Sequence, residues 1–157
     1  GDVTTAPCLA HKASHQGITV AERISGKKIN KFLKDEDIPS CTYSNPQIAS
    51  IGLTEEKAKQ QGYDVNIGNF PFIANGKALA LGEDEGFIKT IFDKNTGELL
   101  GAHLVGAEVT ELISTYIVGK GLETTPDEFL SNIFPHPTMS EMLYESVLSS
   151  ESKAIHY

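Results

Sequence analysis

Near the end of the chain, in the stretch "IFPHPTMSEML" (residues 133–143), a histidine sits between two prolines and a glutamate follows five positions later. An imidazole is the side chain best matched to taking a proton near neutral pH, provided it is held within hydrogen-bond reach of its target. Pro137 biases His136 toward extended backbone, and Pro135 stiffens the approach to it. A carboxylate on the other ring nitrogen fixes the tautomer and raises the basicity of the free nitrogen. Glu141 is placed to do this if the helix that follows turns its side chain back. The same residues support a second reading. Thr138-x-x-Glu141 has the spacing of a capping box, in which Glu141 only satisfies the free N–H groups of a helix start. The residues alone leave both readings open.

Other candidates are weaker. His11 and His15 are spaced i, i+4, a spacing that can hold a metal, but no third ligand accompanies them and a solvated helix face is the better reading. Asp2 follows Gly1 and precedes a threonine-rich turn and Pro7. The helix start beyond it would offer N–H groups and a partial positive charge to an anion or an electron-rich ring edge. Cys8 and Cys41 form neither a disulfide framework nor a zinc site, and read as buried or incidental thiols. The chain has no G-x-G-x-x-G, so no dinucleotide-binding fingerprint is present in it.

These residues need elements to hold them. Pro7 favours a first helical turn, and apolar residues from Leu9 to Ile24 mark a helix over 7–24. "GKKINKFLKDEDIPS" is charged and reads as a linker, with Pro39 as its boundary. "SCTYSNPQIASIGLT" reads as a strand broken near Asn45-Pro46 and ended by Gly52. Thr54 caps a short helix that stops at Gly62. "YDVNIGNFPF" alternates as a strand does. "GFIKTIF", the turn "DKNTG" and "ELLGAHLVG" form a hairpin. Helices are expected over 108–120, 126–132 and 140–149. The order from Ser40 onward predicts an α+β fold, an antiparallel sheet with helices packed on one face. The expected division is 1–39 and 40–157.

Composition narrows the function classes. The chain has 157 residues, 39% hydrophobic and 22% charged, with a net charge of −8, enough for one good core. The acidic balance argues against general nucleic-acid binding, which needs a basic face. No apolar run approaches the roughly 18 residues of a membrane span. The start lacks the basic and apolar regions of a signal peptide. Two cysteines suit a reducing compartment, and the expected location is the cytoplasm, or the mitochondrial matrix if the source is eukaryotic. The opening Gly-Asp suggests a chain that begins inside a larger protein.

Three ordered stretches then carry a resemblance that covers essentially the whole chain. "GDVTTAPCLAHKASHQG" resembles the last flavin-binding segment of the pyridine nucleotide–disulfide oxidoreductases. "IPSCTYSNPQIASIGLTE" resembles the start of their dimerisation domain, and "FPHPTMSEML" their His-Pro-Thr-x-x-Glu motif. "GELLGAHLVGAEVTELI" is similar to the hairpin and helix of the branch that oxidises dihydrolipoyl groups. The resemblance implies that residues 1–39 end an FAD-binding domain and that 40–157 form a dimerisation domain. It implies that Asp2 meets the ribityl chain of FAD, and that Cys8, Leu9, Ala10 and His11 start a helix at the flavin's pyrimidine edge. It implies that His136 is the catalytic base and Glu141 its orienting partner, acting in the neighbouring subunit of a homodimer. The implied whole protein serves lipoyl domains of 2-oxo-acid dehydrogenase complexes with NAD as co-substrate. Its FAD fingerprint, NAD-binding domain and redox-active disulfide would precede Gly1, and the piece alone is expected to be inactive and free of FAD. Glutathione-reductase-like or mercuric-reductase-like enzymes, or a dimerisation module without chemistry, are the alternatives. Mercuric reductases usually end in paired cysteines, whereas this chain ends in "KAIHY". One departure is Phe134, where many members carry a second histidine.

Overall fold

Stretches rich in β-branched and aromatic residues pair into one antiparallel sheet: β1 (Ser40–Thr42), β2 (Gln47–Gly52), β3 (Val65–Pro71), β4 (Phe87–Asp93) and β5 (Leu99–Gly106). The computed structural model describes residues 1–28 and 34–157, which divide into two units, Gly1–Ile38 and Pro39–Tyr157.

The first unit is built on α1 (Ala10–Ile24). It begins three residues later than Pro7 suggests, because Leu9 is extended (φ −132°, ψ 136°) and acts as the N-cap. The Gly1 amino group donates to Gln16 at 2.7 Å, and the buried Lys12 ammonium donates to the Thr5 carbonyl. These bonds fold the residues before α1 back along it. Ile18, Val20 and Ile24 are exposed. The expected linker is described at its ends only, with a 3₁₀ turn at Asp35–Asp37; residues 29–33 lie outside the described residues.

In the second unit the strand order is β1-β2-β5-β4-β3, with every pairing antiparallel. The predicted broken strand is thus a hairpin, β1 turning through Asn45-Pro46 into β2. The helices are α2 (Glu55–Gln60), α3 (Gly76–Leu81), α4 (Val109–Leu112), α5 (Ser114–Gly121), α6 (Pro126–Leu130) and α7 (Glu141–Ser150). The helix expected over 108–120 is two, joined at Ile113, and α3 had no counterpart in the sequence reading. Thr54 caps α2 as expected, accepting from Lys57 N–H at 3.1 Å. Gly62 (φ 88°) ends it in the left-handed conformation that glycine adopts freely.

One face of the sheet carries the main core. Ala49, Ile51, Phe70, Ile88, Phe92 and Leu104 meet Tyr116, Phe129, Met142, Leu143 and Val147 from the helices. The α+β class holds, and α2 adds a smaller cover to the opposite face, where Ala58 packs with Leu53, Ile91 and Leu100. There Glu55 bridges Lys89 of β4 at 2.5 Å and Lys59 at 2.6 Å. Hydrogen bonds from those two ammonium groups, Lys59 first, pull its carboxyl down to about 2.

α7 and β3 approach each other closely at Gly68. A Cβ on Gly68 would stand 1.8 Å from the Ser146 carbonyl oxygen and 2.6 Å from Thr90 Oγ1. Thr90 donates to that same carbonyl at 3.2 Å. The Tyr116 hydroxyl, fully buried, donates to the Leu143 carbonyl at 3.1 Å and shares a 2.7 Å bond with Ser146 Oγ. Burial pushes that hydroxyl well above its ordinary pKa, so it stays a donor at any working pH. Gly68→Ala should therefore destabilise the chain by about 1–3 kcal/mol through forced separation of helix and strand. Gly121→Ala, where a Cβ meets nothing within 4 Å, should change stability by less than about 0.5 kcal/mol. Urea unfolding of the two variants side by side measures the difference.

Candidate functional site

The stretch that joins α6 to α7 carries His136 on an exposed loop whose two ends are fixed. At its start Phe134 packs on Tyr144 of α7, ring centroids 5.7 Å apart. Phe134, the departure noted in the sequence, thus anchors the loop by apolar contact. Within the loop the Thr138 hydroxyl donates to the Pro135 carbonyl at 2.7 Å, closing a turn around His136 and Pro137. At its end Met139 is buried.

Glu141 makes both of the contacts that the two readings of the motif call for. Its Oε1 lies 2.9 Å from His136 Nδ1, and its Oε2 accepts the Thr138 N–H at 2.8 Å. The box is half made: the carboxylate reaches back as in a capping box, but the Thr138 hydroxyl bonds Pro135 and not the helix. Ser140, not Thr138, is the N-cap of α7, and it makes no side-chain bond. Partial burial pushes the Glu141 carboxyl up, but the Thr138 N–H, the His136 ring and nearby positive charge outweigh it and hold it below its ordinary 4.5. An ionised carboxylate only accepts, so the neutral His136 ring carries its proton on Nδ1. Nε2 is left as the basic nitrogen, on a side chain 81% exposed.

Two contacts that no local pattern announces complete the site. Asn75, buried at the start of α3, accepts the Ala78 N–H at 2.9 Å and donates to the Thr138 carbonyl at 3.1 Å. Its amide thus ties the His136 loop to a helix 63 residues earlier in the sequence. Glu145, one turn beyond Glu141, is buried and holds His156 Nδ1 at 2.6 Å. Phe70, Lys77, His136, Tyr144 and His156 are among the walls of an open cleft of about 420 Å³.

The remaining predicted residues lie in the first unit. Asp2 and Cys8 are exposed, Leu9 is the N-cap of α1, Ala10 is its first residue, and His11 is exposed in its first turn. No side chain caps this helix start. Cys41 is half-buried on β1; burial raises its thiol, and Glu111 adds to that. Among the described residues no three His, Cys, Asp or Glu side chains gather as metal ligands. Nor is any helix among them long and apolar enough to cross a membrane.

A sequence profile of the pyridine nucleotide-disulphide oxidoreductase dimerisation domain matches residues 38–147. The chain belongs to this family. Relatives of the dimerisation-domain family include a dihydrolipoyl dehydrogenase of Zymomonas mobilis, 61% identical over 157 residues, covering all of this chain and 34% of that protein. The dihydrolipoyl dehydrogenase of Rhizobium etli is 54% identical over 99% of this chain and 32% of its own length. That of Bacillus subtilis is 46% identical over the whole chain and 33% of its own. The chain thus spans about a third of the length of the relatives it matches. Among solved structures, LpdA from Mycobacterium tuberculosis superposes with a TM-score of 0.88 over 94% of the chain and 32% of its own, at 22% identity. The HOCl-induced flavoprotein disulfide reductase RclA from Escherichia coli, as a Cu(II) complex, gives 0.84 at 26% identity, over 94% of this chain and 33% of its own.

The Glu141 bonds imply a tautomer and an acid limit. Because the folded carboxyl lies below its unfolded value, the tie between loop and helix is fully present above the ordinary carboxylate range. It is lost as pH falls through the depressed folded value. Nitrogen NMR at neutral pH should find neutral His136 protonated on Nδ1. In Glu141→Gln the Nε2-protonated tautomer should gain population, since the amide can donate as well as accept.

Proposed function

We propose that this chain is the C-terminal part of a flavin-dependent dihydrolipoamide dehydrogenase, the end of its FAD-binding domain followed by its dimerisation domain. The observation that carries the reading is the His136–Glu141 pair: a tautomer set by a carboxylate, with Nε2 outward and exposed. Identity of 61% along the entire chain to a dihydrolipoyl dehydrogenase supports it. An RclA-like disulfide reductase is the second reading, at 26% identity.

In this reading His136 Nε2 takes the proton of a dihydrolipoyl thiol, leaving a thiolate, the nucleophilic form of sulfur. Glu141 stabilises the imidazolium so formed, and Asn75 and Thr138 hold the loop while the proton moves. A base this exposed in its own chain suits a site completed by a second subunit. The description of the family as a dimerisation domain supports a homodimer. FAD, with NAD as co-substrate, supplies the redox chemistry when bound. Asp2 and the start of α1 at Cys8, Leu9, Ala10 and His11 are this chain's candidates to meet the flavin. The fit is that of an exposed carboxylate for ribityl hydroxyls and a helix start without a side-chain cap for an electron-rich ring edge. The substrates are dihydrolipoyl groups on the lipoyl domains of 2-oxo-acid dehydrogenase complexes, and the compartment is the cytoplasm or a mitochondrial matrix.

In the full-length enzyme, His136→Gln should keep flavin and dimer yet lower turnover of dihydrolipoamide by about two to four orders of magnitude. Glu141→Gln should cost less, because part of the orientation survives. Near-native turnover in His136→Gln would refute the assignment. The chain alone should scatter light as a dimer of its 17.0 kDa protomer, since interfaces of this permanent kind bury upwards of about 2,000 Å². A strictly monomeric mass at high micromolar concentration would count against it.

A further inference from the structure

The Glu141 arrangement occurs twice on α7. Glu145 follows one helical turn later, on the same side of the helix. It too takes an imidazole on one oxygen and a backbone N–H on the other: Oε1 to His156 Nδ1 at 2.6 Å, Oε2 from the Ile155 N–H at 3.1 Å. Its side chain is only 6% exposed. Both oxygens of this buried side chain are thus used to tie residues 155 and 156 to α7. Tyr157 adds an edge-on contact with Phe70, centroids 6.5 Å apart. Ile155 and His156 thereby line the same cleft as His136 and Glu141. The His156 ring, its Nδ1 given to Glu145, is left with Nε2 as an acceptor on a side chain 65% exposed.

We propose that Glu145 is a positioning residue that makes residues 155 and 156 a fixed wall of the thiol-binding cleft, and that His156 is the part of this wall that contacts substrate. The inference rests on the reading of His136 as the base for a dithiol. Such a substrate brings S–H and amide N–H donors, which suit the His156 acceptor. Nothing in the arrangement asks His156 to take part in the proton transfer itself, so its contribution belongs to binding.

The test uses the full-length enzyme with dihydrolipoamide. His156→Ala should raise KM by about tenfold while kcat stays within about threefold, the pattern of a lost binding contact. Glu145→Gln should also raise KM, because its amide oxygen still accepts from Ile155 but its amide nitrogen donates to Nδ1, which moves the ring proton to Nε2 and removes the acceptor offered to substrate. Hydrogen exchange should show the Ile155 amide protected in the native enzyme and open in Glu145→Ala. His156 is exposed, so His156→Ala reports even if the buried variants fold poorly. An unchanged KM in His156→Ala at native flavin content would overturn the proposal. His136→Gln run in parallel separates the two ideas: a native kcat there defeats the base assignment, while the KM of His156→Ala still judges the wall.

Discussion

The seat of α7 on β3 is the constraint on which the rest of the second unit depends. Only a residue without a Cβ at position 68 lets the helix backbone come so near the strand. The carbonyl of Ser146, turned toward the sheet, is met by Thr90, and the neighbouring turn is held by the buried Tyr116 hydroxyl. Buried polar groups of this kind cost free energy unless paired, so each bond also fixes the rotation of the helix about its axis. Rotation matters because α7 carries both glutamates that grip histidines. A turn of the helix by one residue, about 100°, would carry Glu141 and Glu145 away from their imidazoles together.

Glu141 shows how two separate contacts can share one side chain. A carboxylate has two oxygens, and here each has a separate task, one shaping the loop and one setting the tautomer. The alternatives posed by the sequence were therefore not exclusive. The order of the loop and the orientation of the ring come from the same carboxylate.

What was legible in the sequence follows from distance along the chain. His136 and Glu141 lie within one short motif, so their pairing could be argued from proline stiffness and helix geometry. The hairpin of β4 and β5 was equally local, its turn being set by residues 93–97. Asn75 could not be found this way. Its contact depends on Thr138, far off in sequence, and no element was expected around it. The short helix α3 was missed for the same reason, since six residues give too little periodicity to recognise. Glu145 looked like one more polar residue on a helix until the C-terminus folded back onto it. The start of α1 was misplaced because Pro7 permits a helix but does not compel one; the extended Leu9 decides.

The double duty of Asn75 bears on the order in which the protein is assembled. A helix as short as α3 has little tendency to form alone, and the side chain that caps it also holds the His136 loop. The cap and the loop are thus completed by one event, which must bring residues 75 and 138 together across the whole of the β4–β5 hairpin. Closures over such a span come after local pairings, because chain entropy opposes them until other contacts have drawn the ends near. By this logic the imidazole reaches its final place among the last parts of the unit to form, and a half-folded chain carries no oriented imidazole.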